Sequence, residues 1–210
     1  MAQVRAPVLG ANLGYASLRA ADEFRQGFSM PRGLQRFQQS KQSHFVTFTC
    51  YRRRPGFHSP FACHLFEEVL ESLRRHFAMR VYGYVVMPEH VHLLLSEPEH
   101  GLLADVIHDL KLTFAKRVHM NCGEGAAGAF WQKRYYDRNI RDHAEFIEKL
   151  RYIHRNPVKR DLVQTPGEWK WSSFRHYALR EVGVVEIESE WTARDREQGA
   201  SRERVFLNPG

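Results

Sequence analysis

Cysteine is scarce in this chain of 210 residues: Cys50, Cys63 and Cys122 are the whole complement, and none forms a C-x-x-C pair. An odd, sparse set with no secretory signal argues against a disulfide framework and for a reducing, cytoplasmic setting. Long apolar runs are also missing, since no stretch approaches the roughly 18 residues needed to span a bilayer. The glycines of Asn121-Cys122-Gly123-Glu124-Gly125-Ala126-Ala127-Gly128 lack the spacing and the following Lys-Ser/Thr of a phosphate-binding P-loop, so this stretch reads as a flexible connection. No internal repeat is visible. Acidic residues are absent from residues 31 to 54, where Arg32, Arg36, Lys41, Arg52, Arg53 and Arg54 all fall.

That local absence sits inside a basic whole, with 31 Lys+Arg against 24 Asp+Glu and a formal charge of +7. Most such runs are solvated faces. Here the run flanks a predicted strand, which points to phosphate contacts that would fix position and make affinity salt-dependent without reading sequence. Between Phe130 and Arg160, nine basic residues, among them Lys133 and Arg134, face four acidic ones. They are interleaved with Trp131, Tyr135 and Tyr136. Aromatics beside cations suit unstacked bases, which stack on rings while cations track the backbone. Filling the core is the competing role for Phe130 and Trp131.

Hydrophobic periodicity predicts strands over residues 44 to 51, 80 to 86, 89 to 96 and 130 to 139, and helices over 60 to 77 and 101 to 120. The first helix carries Ala62, Leu65, Phe66, Val69, Leu70, Leu73 and Phe77 at helical spacing, and the second Leu103, Val106, Ile107, Leu110, Phe114 and Val118. The short Met87-Pro88-Glu89 link implies a tight hairpin. The order βαββαβ therefore predicts an α+β fold, a ferredoxin-like antiparallel sheet backed by helices. Residues 1 to 42 read as a basic N-terminal extension, 43 to 178 as the central domain, and 179 to 210 as an acidic C-terminal extension. That last segment holds seven acidic residues after Tyr177 against five arginines, and it could fold over a basic groove.

The most informative stretch is Met87-Pro88-Glu89-His90-Val91-His92-Leu93-Leu94-Leu95. Successive strand side chains point to opposite faces, so His90 and His92 share one face while Val91, Leu93 and Leu95 share the other. Two imidazoles a few ångströms apart can grip one metal ion; two partly buried, hydrogen-bonded histidines in a sheet are the plainer alternative. The remaining histidines, including His44, His58, His64 and His154, read individually as surface or satisfied interior groups.

A third helix is predicted over Asp142 to Asn156, with Asp142 as N-cap, Glu145 as its capping-box partner and Pro157 ending it. Phe146, Ile147, Leu150 and Ile153 form its apolar stripe, and Tyr152 falls almost opposite the centre of that stripe. Asn156, four residues on, shares the side of Tyr152. The residue before a proline avoids the helical region, which favours Asn156 at the C-cap over regular helix.

These residues resemble those of the single-tyrosine HUH transposases of the IS200/IS605-like superfamily, most closely the REP-associated tyrosine transposase branch. The likeness is carried by His44-Phe45-Val46-Thr47-Phe48-Thr49, Val85-Val86-Met87-Pro88-Glu89-His90-Val91-His92 and Phe130-Trp131-Gln132-Lys133-Arg134-Tyr135-Tyr136. It continues through Tyr152-Ile153-His154-Arg155-Asn156-Pro157-Val158-Lys159 and Trp169-Lys170-Trp171-Ser172-Ser173. His-x-His alone is a weak signal; five stretches in this order are a strong one. The resemblance implies the HUH endonuclease/transposase fold, a nucleoid-associated location, and cleavage and joining of single-stranded, hairpin-forming DNA. By position it implies that Tyr152 is the nucleophile and that His90, His92 and Asn156 hold a divalent metal, Mg2+ or Mn2+. A homodimer is compatible with it.

The chemistry suits the residue types. An unperturbed phenol has a pKa of about 10, so only about one in a thousand is ionised at pH 7, a deficit of roughly 4 kcal/mol that the site must offset. A cation, a base or the cluster of Arg151, Arg155, Lys159 and Arg160 could each contribute. On softness alone imidazoles favour zinc. Two other functions fit the same residues: a non-catalytic module binding single-stranded nucleic acid, and a hydrolytic metalloenzyme in which Tyr152 is incidental.

Overall fold

The computed structural model describes residues 42–122 and 128–207. Its centre is a four-stranded antiparallel sheet in the order β2-β3-β1-β4, built from β1 (Ser43–Thr49), β2 (Val81–Val86), β3 (His90–Ser96) and β4 (Tyr136–Asn139). This is the strand order of a ferredoxin-like sheet, as the βαββαβ pattern predicts. The hairpin between β2 and β3 closes with Met87 N–H donating to His90 O at 2.8 Å, and pairs Val86 with Val91.

Helices α1 (Pro60–His76) and α2 (Leu103–Cys122) cover one face. Ser59 caps α1 by accepting from the amide of Ala62 at 3.2 Å, and Pro60 starts it without wasting a donor. Their apolar stripes meet Val46, Phe48, Val91, Leu93 and Leu95 in the main core. Burying each such Leu or Phe contributes about 1.5–3 kcal/mol.

The other face carries α3 (His143–Lys159), packed through Phe146, Leu150 and Ile153 on Phe45, Val85, Met87 and Leu94. The sheet is thus covered on both sides at its centre, which explains why every residue of β3 from His90 to Leu95 is buried. Gly83 permits the close approach of α3: a Cβ there would lie 2.6 Å from Leu150 Cδ1. Asp142 caps α3 as expected, accepting from Glu145 N–H at 2.8 Å. Glu145 reaches back to the amide of Arg141 at 3.0 Å, and to the guanidinium of Arg138, rather than closing a capping box on Asp142.

Three expectations need correction. Pro157 lies inside α3, and the helix runs on to Lys159 with Arg160 N–H donating to Asn156 O at 3.1 Å. Proline forfeits only its own bond to the carbonyl four residues back, and near a helix end that loss is small; Asn156 is therefore helical, not a C-cap. Strand β4 begins only at Tyr136. The predicted start survives as an isolated bridge between Trp131 and Cys50, with Gln132 N–H donating to Thr49 O at 2.9 Å; the exposed residues 132–134 then leave the ladder, and Lys111 Nζ donates to the carbonyls of Gln132 at 2.8 Å and Lys133 at 3.3 Å. Tyr152 stands on the flank of the buried face of α3, partly buried against the second core, not opposite it.

After α3 the chain returns along the β2 edge. Ser172 bridges to Val85 and Ile187 to Val81, so backbone pairs blunt that edge. The helices α4 (Phe174–Leu179) and α5 (Glu190–Leu207) follow. The acidic residues here are spent on local arginines: Glu186 pairs with Arg74 and Arg196, and Glu188 with Arg80 and Arg196. They sit at the Val81 end of β2, whereas His90 starts β3 at the opposite end of the hairpin. Among the described residues, no helix is long and apolar enough to cross a membrane. Most of the predicted N-terminal extension, with Arg32, Arg36 and Lys41, and the core of the glycine-rich connection, residues 123–127, lie outside the described residues.

Candidate active site

Strand alternation sends Val91, Leu93 and Leu95 into the main core and turns His90 and His92 toward α3. The two rings point their Nε2 atoms at each other, 3.0 Å apart. Both are buried, at 9% and 2% exposure.

Each outer nitrogen has a fixed partner. Thr47 is the cross-strand neighbour of His92, and its Oγ1 lies 2.7 Å from His92 Nδ1. Glu89 Oε1 lies 3.3 Å from His90 Nδ1. A carboxylate only accepts, so His90 carries its proton on Nδ1 and presents an Nε2 lone pair. Asn156 Nδ2 donates to His92 Nε2 at 3.1 Å, which likewise makes that nitrogen a lone pair and Nδ1 the donor to Thr47. With each ring protonated on its outer nitrogen only, two lone pairs would face each other, a repulsive pairing that a cation or a shared proton relieves.

A divalent cation fits this arrangement. The two neutral imidazole nitrogens, 3.0 Å apart, would both hold one such cation, to which they would supply uncharged donors. Asn156 turns its Nδ2 to His92 and leaves Oδ1 buried without a hydrogen-bond partner, an oxygen that would serve as a third ligand once the amide turned over. Among the described residues no group of three His, Cys, Asp or Glu could hold a metal.

The phenol is close. The Tyr152 ring stands edge-on to His92 at 5.1 Å between centroids and to Phe45 at 5.9 Å, while Phe45 stacks on His92 at 5.5 Å. Imidazole, spacer ring and phenol belong to one chain. Burial pushes the Tyr152 hydroxyl above its ordinary pKa, and the Asn156 amide and the Arg160 charge pull it back. Burial, reinforced by the charge of Arg160, holds His92 well below the usual imidazole range and therefore neutral. Hydrogen bonding to His90, and then the Arg160 charge, hold Glu89 down at about 2 despite partial burial.

The basic residues divide. Cys50 N–H donates to Glu89 O at 2.8 Å, and Tyr51 N–H to Phe130 O at 2.7 Å. These bonds gather the Arg52-Arg53-Arg54 turn and the Lys133-Arg134 segment at the His90 end of the sheet. Arg52 and Arg53 both adopt left-handed backbone, φ 53° and 55°, a conformation costing about 1 kcal/mol or more for a non-glycine residue. Lys159 Nζ lies 5.7 Å from the Tyr152 ring centre. Arg151 and Arg155 are exposed on α3, turned away from the sheet. Of Arg52, Arg53, Arg54, Lys133, Arg134, Arg151, Arg155, Lys159 and Arg160, only Arg160 has an ion-pair partner among the described residues, Glu89 at 2.7 Å.

Two of the aromatic rings are taken by the core. Trp131 is 7% exposed, packs edge-on to Phe48 and donates from Nε1 to Lys111 O at 3.0 Å; Phe130 packs on Phe57 and Phe114. Beside the arginine turn the open aromatic is Tyr51, 40% exposed with Arg52 over its ring; Phe61 on α1 is also exposed. Sequence reasoning passed over Tyr51, Thr47 and Glu89. Thr47 was detectable as a polar residue inside an apolar strand, and Glu89 as a carboxylate beside a paired histidine.

A ferredoxin-like sheet thus presents two imidazoles to a helix-borne tyrosine, and comparison with known proteins shows the family in which the chain belongs. The transposase IS200-like family model matches residues 38–156, more than half of the chain, and the chain belongs to that family. It is 27% identical over 125 residues to a protein of Haemophilus influenzae provisionally named a REP-associated tyrosine transposase, covering 56% of this chain and 71% of that one. It is also 27% identical over 109 residues to the REP-associated tyrosine transposase of Escherichia coli strain K12, covering 52% and 62%. Among solved structures, a REP-associated tyrosine transposase bound to a REP hairpin superposes with a TM-score of 0.58 at 21% identity, over 74% of this chain and 90% of the other.

Proposed function

We propose that this chain binds single-stranded, hairpin-forming DNA and cleaves and rejoins it through Tyr152 with the aid of a divalent metal. The observation that carries the reading is the meeting, in one chain, of the two Nε2 atoms 3.0 Å apart, the Asn156 amide 3.1 Å from His92 and the Tyr152 ring 5.1 Å from His92. The solved relative bound to a REP hairpin supplies the substrate class.

In the proposed reaction the Tyr152 oxygen bonds to the scissile phosphorus and its proton leaves. The bond to the 3′-oxygen of the preceding nucleotide breaks, and that oxygen takes up a proton. The product is a 5′-phosphotyrosine linkage, and a DNA 3′-hydroxyl reverses the step. His90, His92 and Asn156 would hold the metal, Mg2+ or Mn2+, which supplies charge stabilisation and orientation of the phosphate oxygens. Arg160 and Lys159 favour the ionised phenol, and Phe45 holds the Tyr152 and His92 rings in register. The unpaired cations of the Arg52–Arg54 turn, with Lys133 and Arg134, track the incoming backbone, and the exposed Tyr51 ring offers a base a stacking surface.

Incubating the chain with a hairpin oligonucleotide carrying a single-stranded flank and Mg2+ should yield a covalent protein-DNA adduct. Tyr152→Phe should abolish it with hairpin binding kept, and EDTA should abolish it until Mg2+ or Mn2+ is added. Binding without an adduct would favour a non-catalytic module; cleavage surviving Tyr152→Phe would favour hydrolysis; restoration by zinc alone would overturn the metal assignment.

A further inference from the structure

Glu89 occupies a junction that the proposed chemistry leaves unassigned. Its backbone is fixed on both sides: Cys50 N–H donates to its carbonyl at 2.8 Å, Phe57 N–H to that of Pro88 at 3.0 Å, and Met87 N–H to that of His90 at 2.8 Å. Its Oε1 serves two partners at once, His90 Nδ1 at 3.3 Å and Arg160 Nη2 at 2.7 Å. Arg160 caps α3, one helical turn after Asn156 and two after Tyr152, on the same flank of the helix. One carboxylate oxygen thus joins the strand that presents the imidazoles to the helix that carries the phenol.

We propose that Glu89 is a positioning residue that keeps the histidine pair open for a cation and anchors the C-terminal end of α3 over it. This rests on the function proposed above and deepens it. The reason lies in the 3.0 Å gap between the two Nε2 atoms. An imidazole carries its single proton wherever the better acceptor lies. Without an acceptor at Nδ1, His90 moves that proton to Nε2, where the His92 lone pair receives it at hydrogen-bond distance. The pair then closes on itself, and a metal must break that bond to enter. Glu89 holds the proton on the far side of the ring. It also offsets the Arg160 guanidinium, which otherwise points its charge toward an incoming metal. Carboxylate partners of ligating histidines are typically worth 10- to 100-fold in metal affinity or activity.

Two substitutions separate the two contacts. Glu89→Ala removes both; Glu89→Gln keeps an acceptor for His90 but loses the ion pair with Arg160. In the metal-free full chain, nitrogen-proton correlation spectra of the imidazoles should place the His90 proton on Nδ1 in the wild type and in Glu89→Gln, and on Nε2 in Glu89→Ala. Mn2+ affinity of Glu89→Ala, read by paramagnetic broadening, should fall at least tenfold. Adduct formation at saturating hairpin DNA should fall likewise, with DNA affinity within threefold of wild type. A Glu89→Ala chain that keeps its His90 proton on Nδ1, or binds Mn2+ as the wild type does, overturns the proposal. If the wild type forms no adduct, the proposed function fails, while the spectra and the Mn2+ titration still decide the role of Glu89.

Discussion

In the proposed site His90 and His92 act as a pair when each carries its proton on the side facing away from the other, and that depends on neighbours outside the His-x-His motif. Thr47 is the neighbour of His92. Thr47→Val keeps shape but leaves the buried His92 Nδ1–H without an acceptor, a cost of about 1–3 kcal/mol. Adduct formation should fall about tenfold with hairpin affinity unchanged, as single-turnover assays against binding isotherms would reveal; a rate equal to wild type would remove Thr47 from the site. The shared face of the histidines was legible because strand alternation has a period of two and β3 contains no bulge. The contacts of Thr47 and Glu89 were not, because they depend on β1–β3 register and on a hairpin turn that no local pattern encodes. Likewise the rings of Phe130 and Trp131 look alike in sequence whether they stack on bases or fill a core, and tertiary packing chose the core.

Among the elements, α1 and α2 lie close to where periodicity puts them, since each is long, amphipathic and packed on one side only. Helix α3 was harder. Its buried face extends to His154, Asn156 and Pro157, polar or helix-breaking residues that an apolar stripe does not count, and this widening brings Tyr152 to the border of the sheet. The short strand β4 is tied to its neighbours by charge. Fully buried His44 on β1 lies 2.8 Å from Asp137 on β4 and 3.3 Å from Glu97 just beyond β3. Burial works against protonation of His44, but the two carboxylates outweigh it and its pKa is raised. The folded chain therefore binds this proton more tightly than the unfolded chain does. The stabilisation is complete below about pH 6.5, the ordinary histidine value, and is lost as pH rises through the raised value. Urea midpoints should show wild type losing its advantage over His44→Gln between pH 6 and pH 8 or above; a constant difference would contradict the raised pKa.

For the molecule as a whole, the two faces of the sheet divide the labour: α1 and α2 supply the main core, and α3 brings the reactive groups. Paired arginines stud the Val81 end of the hairpin, whereas unpaired cations gather at the His90 end. If the Arg52-Arg53-Arg54 turn contacts DNA phosphates, replacing all three by glutamine should reduce the slope of log affinity against log salt by about 2, at about 0.7 per cation for single strands. An unchanged slope would leave the turn as solvated surface. The polarity was partly visible in the acid-free run of residues 31 to 54, but which end of the sheet it would serve required the fold.

The proposed site draws all its groups from one chain, which has a direct consequence for mixtures. Tyr152→Phe lacks the nucleophile and His92→Ala lacks the paired imidazole, and neither can lend its missing group to the other if each chain uses its own. With wild type as the positive control, an equimolar mixture of the two variants should form no adduct with hairpin DNA in Mg2+. Adduct appearing in the mixture, attached to the His92→Ala chain, would mean that the phenol works at a partner's histidines and would contradict the single-chain geometry.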